Sequence, residues 1–315
     1  MKKIAYLLLS IFALGCIFNC DQYPIFYTTA KEVAPKKAKI PGALSMIIAT
    51  PDGKTLYVTN HSSIWTASEN TGWIWAQHSL PPSGTAVQSI ACANTNLYAL
   101  TSNANESVIW KIDGNSASAI ERGNSKKYQV IYGAGGKIFA AVSIRDTPTE
   151  GGADYSIVNI TDNVTVVAET HLLKGVAYSN SAYYFATMGS GIYSGNGSSA
   201  TQLDLGKNKT IMGIISYGAL PMVAAISRDG YVYQLTGTAA EKETGRDFRD
   251  GALGVWWDPL RSGASNPSTG YPALLLIGVR INNIQHGYHE MKIKPDGTLD
   301  FAGSLEYPGV HIPTS

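Results

Sequence analysis

Two histidines near the C-terminus are the residues whose spacing first suggests metal chemistry. His286 and His289 flank Gly287-Tyr288, and imidazole nitrogens are common zinc ligands. No other histidine or cysteine clusters beside them in the sequence, and their spacing fits a loop entering a strand instead of a helix. We therefore expect a surface pair and no metal site.

A run of alternating charges, formed by Arg246, Asp247, Arg249 and Asp250, could carry acid and base chemistry. Paired carboxylates act as general acid and base in glycoside hydrolysis, but carboxylates beside arginines are better explained as local ion pairs. The chain contains no G-x-S-x-G elbow, phosphate-binding loop, HExxH helix or sialidase-type Asp-box. The sequence therefore predicts neither an enzyme nor a cofactor.

Cys16 has the clearest predicted chemistry. It follows Lys2 and Lys3 and an apolar run from Ile4 to Gly15, which has the length of a signal peptide and is too short to span a bilayer. We expect residues 1–15 to be removed. The loss of the two lysines would lower the formal net charge from +1 by two units, so no basic field for nucleic acid remains.

The segment Ala13-Leu14-Gly15-Cys16 resembles a bacterial lipobox, with alanine where leucine is usual, as in the relaxed lipoboxes of spirochaetes. The resemblance implies that Cys16 is acylated, for example with palmitate, and becomes the first residue of the mature chain. Several acyl chains hold a protein firmly on a membrane. Ile17 is not the aspartate that retains many lipoproteins at the inner membrane, so the outer membrane is expected in a diderm cell. The alternative is an ordinary secretory signal, cleaved near Gly15 or beyond Asn19.

Composition favours β structure for the rest of the chain. Charged residues make up 15% of it, against about 25% in typical soluble domains, while it has 32 glycines and 18 tyrosines. Residues 16–40 contain prolines and a lysine cluster, and we expect them to form a tether. Within it, Ile25–Thr29 is β-prone and could dock as a strand on the folded domain.

One unit repeats from Pro41 onward. It has an apolar strand, a second strand starting with apolar or aromatic residues, and a third often ending in Ile-Trp or Ile-Tyr. The second strands start at Leu56, Leu97, Ile138, Tyr183, Met222 and Leu274, spaced by 41, 41, 45, 39 and 52 residues. Such periods are typical of four-stranded propeller blades, and residues 72–76 and 298–301 could be outer strands.

The repeat predicts an all-β fold over residues 41–315, a six-bladed β-propeller of four-stranded blades. Seven blades, with the last incomplete or shared between the termini, are the alternative. The first unit, Pro51–Asn60, closely resembles the YVTN-type β-propeller repeat, because it contains Tyr57-Val58-Thr59-Asn60. Since only about ten residues match, the resemblance implies a fold and does not carry a function.

Loops on one face are the candidate binding site. Loops from second to third strands and from blade to blade open on this first face, and the turns from first to second strands open on the opposite face. Two charged insertions lie in first-face loops: Arg145, Asp146, Glu150 and Asp154 in one, and Arg246, Asp247, Arg249 and Asp250 in the other. The longest insertion, residues 258–272, is expected on the opposite face.

Other reactive or aromatic residues are interpreted as structural. Cys92 lies in an apolar strand and is expected to be a small core residue. Trp65, Trp73, Trp75 and Trp110 are expected to pack blades and not to form a carbohydrate platform.

The leading functional hypothesis is a lipid-anchored lipoprotein of the cell envelope whose propeller binds a protein or an envelope polymer without catalysis. One alternative is a propeller enzyme, such as a calcium-dependent lactonase or hydrolase with its site in the axial channel. Another is a scaffold of an outer-membrane assembly complex. The expected partners are the membrane, reached through the lipid on Cys16, and a protein or polymer ligand.

Overall fold

A computed structural model gives the structure of the chain at these positions: 40, 45–50, 54–72, 74–78, 85–114, 116–149, 151–205, 209–217, 222–229, 231–236, 239–242, 252–258, 273–281, 284–293 and 298–299. The chain divides into two compact units, Met1–Gly42 and Ala43–Ser315. Cys16, Cys20 and the predicted docking strand lie outside the described residues. No helix among the described residues is long and apolar enough to cross a membrane.

The second unit consists of antiparallel sheets in which strands follow chain order. The sheets contain β1 (Met46–Ala49), β2 (Thr55–Thr59), β3 (Ile64–Ser68) and β4 (Ala76–Gln77); β5 (Ala86–Ala93), β6 (Asn96–Ser102), β7 (Glu106–Asp113) and β8 (Ser116–Asn124); β9 (Tyr128–Ala134), β10 (Lys137–Ser143), β11 (Tyr155–Asn159) and β12 (Val164–Thr170); β13 (Leu173–Ser179), β14 (Ala182–Thr187), β15 (Ile192–Gly195) and β16 (Ala200–Gln202); β17 (Ile211–Tyr217), β18 (Met222–Ser227), β19 (Val232–Thr236) and β20 (Ala239–Lys242); and β21 (Ala252–Asp258), β22 (Ala273–Ile281) and β23 (Ile284–Ile293).

The structure is an all-β propeller with four-stranded blades, but the predicted number of blades is wrong. Five four-stranded blades are described, not six or seven, and β21–β23 form a three-stranded sheet. Of the predicted outer strand of that last unit, residues 298–301, the structure describes residues 298 and 299. The Leu299 N–H donates to Gln234 Oε1 on β19 of the fifth blade at 2.7 Å, and Leu299 is buried.

The outer strand of the first blade also differs from the prediction. A short 3-10 helix, Glu69–Thr71, follows β3 and ends at Gly72, whose φ of 60° lies in the left-handed region. The paired strand β4 therefore begins only at Ala76. Glycine is favoured at such a position because it lacks a Cβ, so the chain turns where an extended strand was expected.

The core lies in the seams between neighbouring blades. Ile64 of the first blade packs with Ile90 and Leu97 of the second. At the third seam the rings of Phe139 and Phe185 meet edge to face at 5.0 Å. Each blade thus buries its apolar faces against its neighbours, as expected for a repeat fold.

The first strands adjoin each other and line the inside of the propeller. At Gly133 on β9 an added Cβ would lie 1.8 Å from the Cys92 carbonyl oxygen on β5, so the two backbones approach closely. Serine hydroxyls bridge two of these seams. Ser89 Oγ accepts a hydrogen bond from the Ile131 N–H at 2.9 Å, and Ser216 Oγ donates to the Tyr178 carbonyl at 2.9 Å.

Candidate functional site

The first face carries the loops that leave the second strands and the loops that connect blades. Of the two predicted charged insertions, the structure describes residues 144–149 and 151–154. Glu150 and the insertion with Arg246, Asp247, Arg249 and Asp250 lie outside the described residues, so their predicted convergence stays a prediction. Asp146 is exposed.

Asp154 organises the described insertion, which connects β10 to β11. Its Oδ2 accepts hydrogen bonds from Thr149 N–H at 3.0 Å and Thr149 Oγ1 at 2.8 Å. Its Oδ1 lies 2.7 Å from Arg145 Nε, and the exposed fractions of the two side chains are 10% for Asp154 and 64% for Arg145. A buried carboxylate therefore fixes an exposed guanidinium, with both ends of the insertion tied together by the Ile144 N–H bond to the Asp154 carbonyl.

The same contacts set the protonation of Asp154. Hydrogen bonds from Thr149 lower its pKa, burial opposes that shift, and the charges of Arg145 and His171 lower the pKa further. The carboxylate is thus ionised near neutral pH, because hydrogen bonds and positive charges favour the charged form.

His171 brings the fourth blade to the same region. It lies between β12 and β13, and its Nδ1 is 2.6 Å from the Ser190 hydroxyl in the loop between β14 and β15. The Ser190 N–H in turn donates to Thr187 Oγ1. Asp154 is held by Thr149 and Arg145, so this group is not a Ser-His-Asp triad in which the carboxylate orients the imidazole.

Lys209 and Asp229 form the corresponding pair on the fifth blade. Lys209 Nζ contacts the Asp229 carboxylate and lies 5.3 Å from the centre of the Tyr231 ring. Burial opposes ionisation of Asp229, but hydrogen bonds from Lys209 and Ser227 lower its pKa overall. The pair therefore stays charged and joins an inter-blade loop to a loop within the blade.

A row of hydroxyl side chains at the ends of the second strands supports these loops, and the sequence analysis missed it. The row, called the rim hydroxyls below, comprises Thr59, Thr101, Ser143, Thr187 and Ser227. Three of them bind their own loops: Ser143 Oγ donates to the Arg145 carbonyl at 2.5 Å, Thr187 to Gly191 at 2.9 Å and Ser227 to Tyr231 at 3.3 Å. Their regular recurrence in the sequence was the available signal.

Two of the residues interpreted as structural, Cys92 and Trp110, are half-buried in the structure. Burial raises the pKa of Cys92 to about 12, so its thiol is protonated and a poor nucleophile at neutral pH. Trp110 packs on the core between the first two blades, and its indole N–H donates to Thr101 Oγ1 at 2.9 Å. His286 and His289 lie on β23. The described residues contain no group of three or more His, Cys, Asp or Glu able to hold a metal ion.

Comparisons with solved structures agree with the fold. The chain is similar to the crystal structure of the RRP9 WD40 repeats, with 12% identity over 83% of this chain and 80% of that chain and a TM-score of 0.51. It is also similar to the structure of U3-55K, with 12% identity over 83% of this chain and 81% of that chain and a TM-score of 0.52. No protein-family model and no curated protein matches the chain. At this identity the likeness shows the fold alone, a propeller similar to WD40 repeats.

Proposed function

We propose that the chain is a lipid-anchored lipoprotein of the cell envelope whose propeller binds a partner without catalysis. The observation that carries the binding role is the Arg145–Asp154 pair on the first face, in which a buried carboxylate holds an exposed guanidinium. The anchor rests on the signal-like start and Cys16. A protein partner is favoured over a polymer because the fold is similar to WD40 propellers.

Pre-organisation explains why this pair suits binding. An arginine that is already fixed loses little conformational freedom when it meets a partner, and arginine is enriched among the residues that dominate interface energies. The rim hydroxyl Ser143 also binds the Arg145 carbonyl, so both the backbone and the side chain of Arg145 are held.

The protonation of the first-face carboxylates supports recognition more than acid or base catalysis. The pKa values of Asp154 and Asp229 are both lowered, whereas a general base or acid works best with a pKa near the operating pH. Both side chains also have internal cationic partners, Arg145 and Lys209.

The anchor is tested by replacing Cys16 with alanine in the producing cell. We expect the variant to move from the membrane fraction to the soluble fraction, because no acyl chain would then hold it. Replacement of Cys20 with alanine is the matched control and should leave the protein in the membrane fraction. Retention of the Cys16→Ala variant in the membrane would contradict the lipid assignment.

The binding role is tested by crosslinking in intact cells, followed by affinity purification and identification of crosslinked proteins. Arg145→Ala should reduce the yield of a specific partner by roughly tenfold, since loss of an interface arginine often costs this much affinity. Arg122→Ala is a matched control, because Arg122 lies on the outer strand β8, is 56% exposed and is ion-paired to Glu106 of β7. Equal yields from both variants would remove Arg145 from the binding surface, and no reproducible partner for the unmodified protein would contradict the binding role.

A further inference from the structure

The turn between β15 and β16 in the fourth blade contains Asn196-Gly197, the only Asn-Gly pair in the sequence. Asn196 is exposed, and Gly197 has a φ of 88°, which favours glycine. Glycine adopts this conformation readily because it has no Cβ. For the same reason, no side chain of residue 197 shields its backbone nitrogen from the Asn196 side chain.

The Asn196 amide is held in place by the turn itself. Its Oδ1 accepts hydrogen bonds from the Ser198 N–H at 3.0 Å and the Ser199 N–H at 3.2 Å, and the Asn196 N–H donates to the Ser199 carbonyl at 3.2 Å. Backbone N–H groups aimed at a carbonyl oxygen stabilise the negative charge that develops there when its carbon is attacked. The two bonds therefore favour nucleophilic attack on Asn196 Cγ.

The attacking group is the Gly197 backbone nitrogen, because it is bonded to the main-chain carbonyl carbon of Asn196 and closes a five-membered ring when it reaches Cγ. A C–N bond forms, and the side-chain nitrogen leaves as ammonia with the proton of the Gly197 N–H. Water then opens the cyclic imide. Cleavage of the bond to Cγ gives aspartate, and cleavage of the bond to the main-chain carbonyl carbon gives isoaspartate, which adds one methylene to the backbone.

The two products differ in what they do to the seam between the third and fourth blades. Asn159, at the end of β11, is fully buried, and its Nδ2 donates to the Gly197 carbonyl and to Asp162 Oδ2, both at 2.9 Å. Isoaspartate lengthens the chain next to Gly197 and so displaces that carbonyl, which leaves a buried Asn159 hydrogen unpaired at a cost in stability. Aspartate keeps the backbone length.

We propose that Asn196 is a modification site, at which the folded turn converts asparagine to isoaspartate and thereby breaks the Asn159–Gly197 bond between two blades. The reaction needs only water as a co-reactant. This inference goes beyond the binding function, because it involves neither Arg145 nor the lipid anchor.

The reaction is tested by incubating the folded full chain in detergent near pH 8 and following each asparagine by peptide mapping with mass spectrometry. Asn196 should lose its amide about tenfold faster than Asn180, because glycine and not serine follows it. Asn180 is the internal control, since it is also exposed in a turn between two strands. Asn196→Gln should not react at this position, because its longer side chain would have to close a six-membered ring.

Equal rates at Asn196 and Asn180 would overturn the assignment of the site. Reaction at Asn196 only after urea has unfolded the chain would overturn the claim that the native turn is reactive. A product that contains aspartate but is not labelled by an isoaspartyl methyltransferase would overturn the isoaspartate assignment.

The effect on the seam is tested by separating the isoaspartate form by ion exchange and measuring its urea denaturation. Its unfolding equilibrium constant should be about tenfold higher than that of the unmodified protein, because a buried amide hydrogen has lost its acceptor. Asn196→Asp is the matched control with the same charge and an unchanged backbone, and it should unfold like the unmodified protein. Equal stability of the isoaspartate form and Asn196→Asp would overturn the loss of the Asn159–Gly197 bond.

Discussion

At the scale of single residues, the described insertion of the first face is organised by an ion pair with one buried and one exposed member. Asp154 is the buried member of its pair and Arg145 the exposed one. The hydrogen bonds from Thr149 keep the carboxylate in place. The insertion is therefore an ordered surface whose shape depends on one ionised group.

Because the insertion depends on the ionised Asp154 carboxylate, we expect the thermal stability of the protein to depend on pH. The folded-state pKa of Asp154 is lowered, so its ionisation stabilises the fold above the unfolded-state pKa of about 3.9. That stability is lost as the pH falls through the folded-state pKa. In thermal unfolding scans from pH 7 to pH 2.5, we expect the unmodified protein to be more stable than Asp154→Asn at pH 7 and the difference to shrink below about pH 4.

Asp146→Asn, which makes the same change at an exposed position of the insertion, should alter the midpoint little at any of these pH values. A pH-independent difference between the unmodified protein and Asp154→Asn would show that the ionised carboxylate does not stabilise the insertion.

The sequence allowed Arg145 and Asp154 to be placed on the first face, because both follow a recognisable second strand. It did not predict which of them is buried, since that depends on Thr149 folding back over the carboxylate. His171 and Ser190 were missed as well. They are 19 residues apart in the chain, and neither residue type alone marks a site.

At the scale of strands, the seams between blades carry both the apolar core and a few polar bridges. The hydroxyl of Ser89 is buried and accepts the hydrogen bond of the Ile131 N–H. A buried N–H that loses its acceptor costs about 1–3 kcal/mol. Urea denaturation of Ser89→Ala should therefore show a free energy of unfolding lower by this amount.

Ser118→Ala is the control for that measurement, because Ser118 is exposed on β8. It should change the free energy of unfolding by no more than about 0.5 kcal/mol. If both variants were equally stable, the Ser89 bridge would not contribute to the seam.

Strand positions were largely predictable because apolar residues recur with a regular spacing. The shifts in register between the first and second strands of five sheets were not predictable, since one extra residue in each of those first strands is hidden in the variable spacing of the units. The helical turn before β4 was also missed. Residues 72–76 contain two tryptophans and an isoleucine, which favour a strand, but the left-handed conformation of Gly72 ends a 3-10 helix there.

At the scale of the whole molecule, the fold class was predictable and the number of blades was not. Period and strand pattern identify a propeller, but they do not show whether the last strand of a unit pairs with its own sheet. In the last unit, for example, the N–H of Leu299 bonds to a glutamine side chain of the fifth blade, a contact that the repeat does not predict. The spacing of 52 residues before the last unit was the departure that signalled an irregular sheet.

Because each blade packs against its neighbours, we expect substitutions at two distant seams to lower the free energy of unfolding independently of each other. Ser216 and Tyr178 bridge the seam between β17 and β13, whereas Ser89 bridges the seam between β5 and β9. The double variant Ser89→Ala/Ser216→Ala should lose the sum of the two single losses within about 0.5 kcal/mol in urea denaturation. A coupling well above this value would mean that the propeller transmits strain from one seam to another.

The β-bulges at Gln88, Gln129 and Lys174, where the register between first and second strands shifts, have a consequence for how such a protein can diversify. A bulged residue has no partner in the strand ladder, so its side chain can change while the pairs on either side keep the blade intact. Mutations at Gln88, Gln129 or Lys174 should therefore be tolerated by the fold more readily than mutations at their neighbours Val87, Tyr128 and Leu173, which are buried. The side chains at these three positions could then change over generations with little loss of stability.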